Sequence, residues 1–210
     1  MKRMLGLLLV LGVALAALGF GLWTARALLA PPGVVLEAGT LLPQPRPLGA
    51  FALTDTEGGP FTPESLRGRW TMLAFGYASC PDVCPLTMAT FRDLRARLAA
   101  SGHADTVRFV LVSVDPERDA LPALKEYVRY FDPAFRGATG PHAALQQLTS
   151  QLGVVYRRAD AGSALGYLVD HSATLVLLDP QARLAAIFGA PHDPAAIARD
   201  LAALAGRPAR

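Results

Sequence analysis

Two runs, Trp70 to Tyr77 and Val107 to Val114, are apolar almost throughout and show no clean alternation of polar and apolar positions. A strand with one wet face alternates, because successive side chains point to opposite sides of the sheet. Without alternation, a strand needs cover on both faces, as central strands of an α/β sheet have. The helices that would give this cover fall between and after the runs. Four helical segments carry a proline in the first turn, Pro85, Pro122, Pro141 and Pro194, where the missing N–H would have had no intrahelical partner. Met88, Phe91, Leu94 and Leu98 share one face of the first, Leu145, Leu148 and Leu152 one face of the third, and Ile197, Leu201 and Leu204 one face of the last. Such stripes read as core. Strands are also predicted at Thr174 to Leu178 and Arg183 to Phe188, around the turn Asp179-Pro180-Gln181. Phe51 to Asp55 and Phe61-Thr62 read as a hairpin closed by Glu57-Gly-Gly-Pro60. The order predicts an α/β fold, a mixed central sheet with right-handed crossovers, in which chemistry gathers at the carboxyl ends of strands.

The start of the chain obeys different rules. Between Arg3 and Arg26 lie 22 residues without a charge, and a helix of that length rises about 33 Å, enough to span a hydrocarbon core. Residues 1–26 are therefore expected to form a membrane anchor, a single transmembrane helix. Lys2, Arg3 and the amino terminus outnumber Arg26, which keeps the tip cytoplasmic and sends the bulk across, with Trp23 as an interfacial anchor. A cleaved signal peptide ending at Ala25-Arg26-Ala27 competes, but the apolar run exceeds the usual signal core. No cysteine precedes Cys80, which excludes a lipoprotein. Five prolines from Pro31 to Pro47 make residues 27–48 an expected extended linker. The folded domain is then 49–206, with Gly206 to Arg210 as a tail.

Composition narrows the classes. At 52% hydrophobic and 18% charged residues the chain is not disordered. The net charge of +3 belongs to the anchor: with Lys2, Arg3 and Arg26 set aside, 17 basic residues balance 17 acidic ones. No basic stripe remains, and no nucleic-acid partner is expected. Two cysteines are too few for a disulfide scaffold or a four-thiolate zinc module.

Both cysteines lie in Cys80-Pro-Asp-Val-Cys84-Pro85, between an expected strand and an expected helix. Pro85 as the first helical residue would make Cys84 the N-cap, where unpaired N–H groups and the helix dipole favour thiolate. Their spacing lets the sulfurs close a disulfide or converge on one metal ion, and does not choose between them. A C-x-x-C redox loop is one residue shorter, and haem attachment needs a histidine where Pro85 stands. A fixed structural disulfide closing so short a loop would remove little denatured-state entropy.

Of four histidines, His103, His142 and His192 sit in polar turns or at helix starts and read as surface residues. His171 precedes the strand Thr174 to Leu178. If that strand runs antiparallel beside Trp70 to Tyr77, His171 faces the cysteine loop. Two thiolates and an imidazole suit Cu(I) and accept Cu(II), and zinc would accept the same atoms. Asp170 is placed either to orient the imidazole or to cap the turn.

The cysteine motif after a strand, Val114-Asp115-Pro116-Glu117-Arg118-Asp119, and Val169-Asp170-His171-Ser172, in this order, together resemble the SCO/SenC family. Its members are membrane-anchored copper chaperones for cytochrome c oxidase with a thioredoxin-like fold. The resemblance runs from about Phe51 to the last helix. It implies copper ligation by Cys80, Cys84 and His171, and cycling of the two cysteines between dithiol and disulfide. Asp115 and Asp119 match the family's D-P-x-R-D loop, where turn and helix-end hydrogen bonding would equally account for them. Thioredoxin-like reductases carry a cis-proline before the strand facing their cysteines; Ser172-Ala173-Thr174 has none, which favours metal binding over general disulfide exchange.

The resemblance implies a metallochaperone rather than an enzyme. It would hold one copper and deliver it to the dinuclear copper centre of cytochrome c oxidase subunit II. The alternative is a thiol–disulfide reductase that keeps that subunit's copper-ligand cysteines reduced. An upstream copper donor and a thiol reductant would be further partners. A peroxidase is disfavoured, because Arg69 and Arg92 are not placed by spacing beside a cysteine. The expected location is the inner membrane of a bacterium, domain on the periplasmic side. Eighteen arginines against two lysines fit a GC-rich bacterial genome.

Overall fold

The computed structural model describes residues 2–28, 35–160 and 167–206. It divides into two units, Met1–Val34 and Val35–Arg210. The first holds helix α1, Lys2–Leu28. Side chains are described continuously only over 11–25 of it, and among the described residues no helix is long and apolar enough to cross a membrane. Along that stretch Leu11, Val13, Leu15, Leu18, Phe20, Leu22 and Trp23 are all more than half exposed. Residues 29–34 of the expected linker and 207–210 of the expected tail lie outside the described residues.

The second unit is built on an eight-stranded sheet. Its members are β1 (Thr40–Pro47), β2 (Leu53–Asp55), β3 (Pro60–Phe61), β4 (Trp70–Gly76), β5 (Val107–Ser113), β6 (Arg136–Thr139), β9 (Leu175–Leu178) and β10 (Arg183–Phe188). Their order is β1-β10-β9-β4-β5-β6-β2-β3. β4, β5 and β6 are parallel, and β9 runs antiparallel to β4. The two uniformly apolar runs are the adjacent central strands, and Met72, Leu73, Val110 and Val112 are at most 1% exposed. A further antiparallel pair, β7 (Tyr156–Asp160) and β8 (Tyr167–His171), forms its own two-stranded sheet.

The flanking helices are α2 (Val83–Ala100), α3 (Leu121–Phe131), α4 (His142–Leu152) and α5 (Pro194–Ala205). The predicted stripe on α2 is buried, and Phe91 packs with Phe109 and Phe135 at ring-centroid distances of 5.0 and 6.0 Å. Pro194 opens α5 as expected, with the Asp193 carboxylate accepting from the N–H groups of Ala195 and Ala196 at 2.8 and 3.2 Å. Pro141 instead caps α4, and α2 begins at Val83, two residues before Pro85. A proline third in a helix still lacks an N–H that would have gone unpaired. Cys84 therefore lies inside the first turn of α2 rather than at its N-cap.

The predicted hairpin is β2 and β3, paired antiparallel. Asp55 Oδ1 accepts from the N–H groups of Glu57 and Gly59, and Gly58 supplies the left-handed residue at φ 82°. The linker expectation over 27–48 needs correction from Val35 onward. Thr40–Pro47 forms an edge strand against β10, with a register shift between Leu41 and Arg46. Prolines 43, 45 and 47 are tolerated because an edge strand donates on one side only. Ahead of β1, the buried Asp200 carboxylate accepts from the Glu37 and Ala38 N–H groups at 2.8 and 2.9 Å. The folded unit thus starts well before residue 49.

Candidate metal centre

Strand β4 ends at Gly76, and the chain passes through Cys80 to α2, which brings Cys84 back against the strand. Gly76 is required there: a Cβ would lie 2.6 Å from Cys84 Sγ. Cys84 is 1% exposed, whereas Cys80 stands half-buried in the loop, and neither is in a disulfide. On the other side, His171 ends β8, with three residues between it and β9. The antiparallel pairing of β9 with β4, the condition on which the sequence reading of His171 rested, turns this end of β8 toward the cysteine loop. Cys84 Sγ and His171 Nε2 are 3.3 Å apart, and one donor atom from each of Cys80, Cys84 and His171 lies within 4.8 Å of the others. This trio is the only such group of histidine, cysteine or carboxylate ligands among the described residues.

The imidazole is held so that its useful nitrogen faces the sulfurs. His171 Nδ1 lies 3.3 Å from the Ser172 carbonyl oxygen, which accepts a hydrogen bond from Nδ1–H and leaves the lone pair on Nε2. The Tyr77 ring meets the imidazole edge-on at 6.1 Å. Asp170 does not orient it. Its carboxylate is exposed and faces Arg157 Nη2 at 3.4 Å.

The two thiols are not equivalent. A hydrogen bond from the Cys84 thiol, followed by contact with His171 and by the Asp82 and Cys84 backbone N–H groups, pushes the Cys80 thiol down. The interaction with Cys80, together with burial, pushes Cys84 up. These effects favour the negative charge on Cys80 and the proton on Cys84, the reverse of the expectation that put Cys84 at a helix N-cap.

The loop between β5 and α3 braces both halves of the site. The Ser113 hydroxyl and the Ala78 N–H donate to Asp119 Oδ2 at 2.6 and 2.9 Å, which fixes the start of the cysteine loop. Burial pushes the Asp119 carboxyl up, against those two hydrogen bonds. Asp115 instead reaches β8: the Tyr167 hydroxyl donates to its Oδ1 at 2.7 Å, and Arg118 Nε donates to its Oδ2. Arg118 Nη1 donates to the Tyr167 carbonyl at 3.1 Å, and its guanidinium lies 3.8 Å over the Tyr167 ring. The Val169 N–H donates to the Tyr77 hydroxyl at 3.3 Å. Sequence reasoning missed Tyr77, Tyr167 and Arg118. The one available signal was Tyr167 standing four residues before His171 on the same strand face.

The other histidines stay apart from this cluster. His142 lies 3.0 Å from Glu117 and stacks on Tyr156, and His103 Nδ1 lies 3.3 Å from Ser101 Oγ. His192 departs from its expected surface role: it is half-buried, and burial pushes its pKa down.

Fold and site define a thioredoxin-like domain that presents two cysteine sulfurs and one imidazole nitrogen to a common point at the carboxyl end of a central strand. The SCO1/SenC family model matches residues 41–206, and the chain belongs to that family. A putative copper-binding protein of Stutzerimonas stutzeri is 37% identical over 151 residues, 72% of this chain and 73% of that one. SCO1 homolog 1 of Arabidopsis mitochondria is 33% identical over 145 residues, 69% of this chain but only 43% of the relative's length. The copper-bound structure of Bradyrhizobium japonicum ScoI superposes with a TM-score of 0.66 at 32% identity, covering 75% of this chain and 98% of that one.

Proposed function

We propose that this protein is a copper carrier for the assembly of cytochrome c oxidase, holding one copper ion as cargo between Cys80 Sγ, Cys84 Sγ and His171 Nε2. The observation that carries the reading is the convergence of those three atoms within 4.8 Å, in a chain whose relative of known structure was solved with copper bound. The donor set fits: thiolates and a neutral imidazole are soft ligands that select Cu(I) and also accept Cu(II). Delivery goes to the dinuclear copper centre of subunit II by exchange of ligands. One incoming thiolate forms a bond to copper as one Cys80 or Cys84 bond breaks, with no change of oxidation state. No covalent intermediate between proteins is needed, so the protein works as a chaperone rather than an enzyme.

The helix α1 is the proposed anchor. Its described apolar side chains are exposed all round, and its sequence places Lys2 and Arg3 at one tip. This puts the second unit on the periplasmic side of a bacterial inner membrane. Resistance of the chain to carbonate extraction from membranes tests it; release would remove the anchor.

The central test is copper titration of the full chain in detergent under reducing conditions. It should bind one copper per chain, with a sulfur-to-copper charge-transfer band in the Cu(II) form. His171→Ala should bind at least tenfold more weakly. Equal affinity in that variant would break the ligand assignment.

A second reading is supported by the pairing of an exposed-side thiolate with a buried thiol. Cys80 attacks a partner disulfide, forming a mixed disulfide and releasing one partner thiolate. Cys84 then closes the Cys80–Cys84 disulfide and releases the second, so two electrons pass to the partner and a thiol reductant must restore the dithiol. Cys84→Ser should trap the mixed disulfide with oxidised subunit II; no trapped adduct removes this activity.

A further inference from the structure

The parallel strands β4, β5 and β6 deliver their carboxyl ends toward the metal centre, and their amino ends gather at the opposite end of the strands. Each of the three amino ends carries an arginine: Arg69 just before β4, Arg108 as the second residue of β5, and Arg136 as the first of β6. The registers bring these ends together, with Thr71 beside Arg108 and Val110 beside Arg136. Residues 108 and 110 share a face of β5, so Arg108 and Arg136 project on the same side of the sheet. All three arginines line one cleft of about 450 Å³, within the range of small-molecule pockets.

The charges in this cleft are poorly matched. Among the described residues, the Arg69 side chain makes no hydrogen bond or ion pair. Arg108 is half-buried, and its guanidinium donates to a neutral acceptor, the Ser65 carbonyl, at 3.0 Å. Arg136 comes no closer than 3.8 and 3.9 Å to Asp55 and Glu57. Asp55 is committed to the β2–β3 turn, and Glu57 is held at 3.0 Å by Lys125 and Arg129. A fourth lining arginine, Arg95, is neutralised by Asp132 at 3.0 Å. Asp105, exposed at the same cleft, is the remaining acid. Burial, with the like charges of Arg69 and Arg136, pushes the Arg108 pKa down. Asp55 is the one carboxylate of the cleft that acts on Arg108 and Arg136, and three guanidiniums outnumber it, so they repel one another, and a multivalent anion would reverse the sign of that interaction.

We propose that this cleft is a second binding site, for an organic phosphate ester whose phosphoryl group is held by Arg69, Arg108 and Arg136. Guanidinium forks match phosphate oxygens two at a time, and three of them suit a dianion with three terminal oxygens better than a single carboxylate. The cleft is larger than a phosphoryl group, and Phe61, Phe109 and Phe135 line it, so the rest of the ligand is a small organic body. Two sources share this chemistry, a soluble ester and the headgroup of an anionic phospholipid. The site stands at the amino ends of β4, β5 and β6, opposite the carboxyl end of β4 that leads to Cys80, and does not rest on the copper reading.

The test uses the full chain and two arms. In dodecyl maltoside micelles, which carry no phosphate, titration with glycerol 3-phosphate should saturate. Arg69→Glu should weaken binding at least tenfold, Arg136→Gln should weaken it less, and added salt should weaken both. In nanodiscs without added ester, hydrogen-exchange protection over residues 104–110 in phosphatidylglycerol, and not in phosphatidylcholine, assigns the ligand to a lipid headgroup. Saturation in micelles without that protection assigns it to a soluble ester. Arg69 touches no structural partner, so Arg69→Glu should load copper like the wild type, which separates lost binding from lost folding. The proposal falls if neither arm shows binding, or if Arg69→Glu binds glycerol 3-phosphate as tightly as the wild type.

Discussion

The two halves of the metal centre are held by different physics. The cysteine half is part of the core: β4 has hydrogen-bonded neighbours on both sides, α2 buries six residues, and Cys84 is among them. The histidine half sits on β7–β8, a two-stranded sheet outside the main one. Isolated two-stranded hairpins are marginally stable, and this one is tied to the rest of the domain by one buried apolar side chain of β8, Val169 at 6% exposure, and by polar contacts, the Tyr167–Asp115 and Arg118–Tyr167 hydrogen bonds and the Val169 N–H to Tyr77. Apolar packing over many atoms resists small displacements, whereas a few hydrogen bonds contribute about 0.5–1.5 kcal/mol each. The site therefore has a fixed side and a tethered side. On the proposed carrier role, the tethered side is the one expected to yield first when cargo is passed on.

The largest expected contrast lies within the fixed side. Burial and the thiol–thiolate pairing make Cys80 the reactive residue and Cys84 an inert one. Alkylation of the reduced, metal-free chain with iodoacetamide should modify Cys80 to completion before Cys84 reacts measurably, and urea should erase the difference. Equal rates in the folded chain would mean that Cys84 is not held in the core.

Gly76→Ala attacks the same side through packing. The new methyl group would come within 2.6 Å of Cys84 Sγ. Overpacking of this kind costs about 1–3 kcal/mol, and the displaced sulfur should also weaken copper binding. A variant with wild-type unfolding midpoint and copper affinity would show that the sulfur has room to move.

Tyr167→Phe probes the tethered side by removing one hydroxyl from the Asp115 carboxylate. The loss should be about 1 kcal/mol, read as faster amide exchange along β8 and a copper affinity reduced several-fold, with the global unfolding midpoint almost unchanged. If the midpoint falls as far as in Gly76→Ala, the hairpin is part of the core and the distinction between the halves disappears.

The same distinction explains what was legible in the sequence. The cysteine half is local: an apolar run, a loop with two cysteines and a helical stripe follow one another, so the buried strand, its helix and the sulfur ligands could be read from one stretch of about 30 residues. His171 became legible through the family resemblance and through the order of strands, since its place beside the sulfurs depends on β9 lying antiparallel to β4. The tethers were invisible, because a tyrosine, an arginine and an aspartate 52 residues apart at the extremes carry no periodicity that would pair them. Two local expectations failed for physical reasons. The prolines of Thr40–Pro47 suggested a spacer, but an edge strand tolerates them. Pro85 suggested a helix start, but the third helical position tolerates proline as well, and that shift of two residues moved Cys84 from cap to core.

The smallest expected effect concerns Asp170, which stands next to His171 in sequence and on the opposite face of β8. Neighbours in a strand point apart, and the Asp170 carboxylate is paired with Arg157 at the surface, both side chains more than half exposed. Exposed pairs of this kind contribute about 0–1 kcal/mol. Asp170→Asn should therefore change copper affinity by less than about twofold, within that range, and leave the charge-transfer spectrum unmoved. The proton on His171 Nδ1 is fixed by the Ser172 carbonyl, a backbone group that the substitution does not touch. A tenfold loss of affinity would mean that Asp170 turns inward when copper is bound, and that the tethered half of the site rearranges around its cargo.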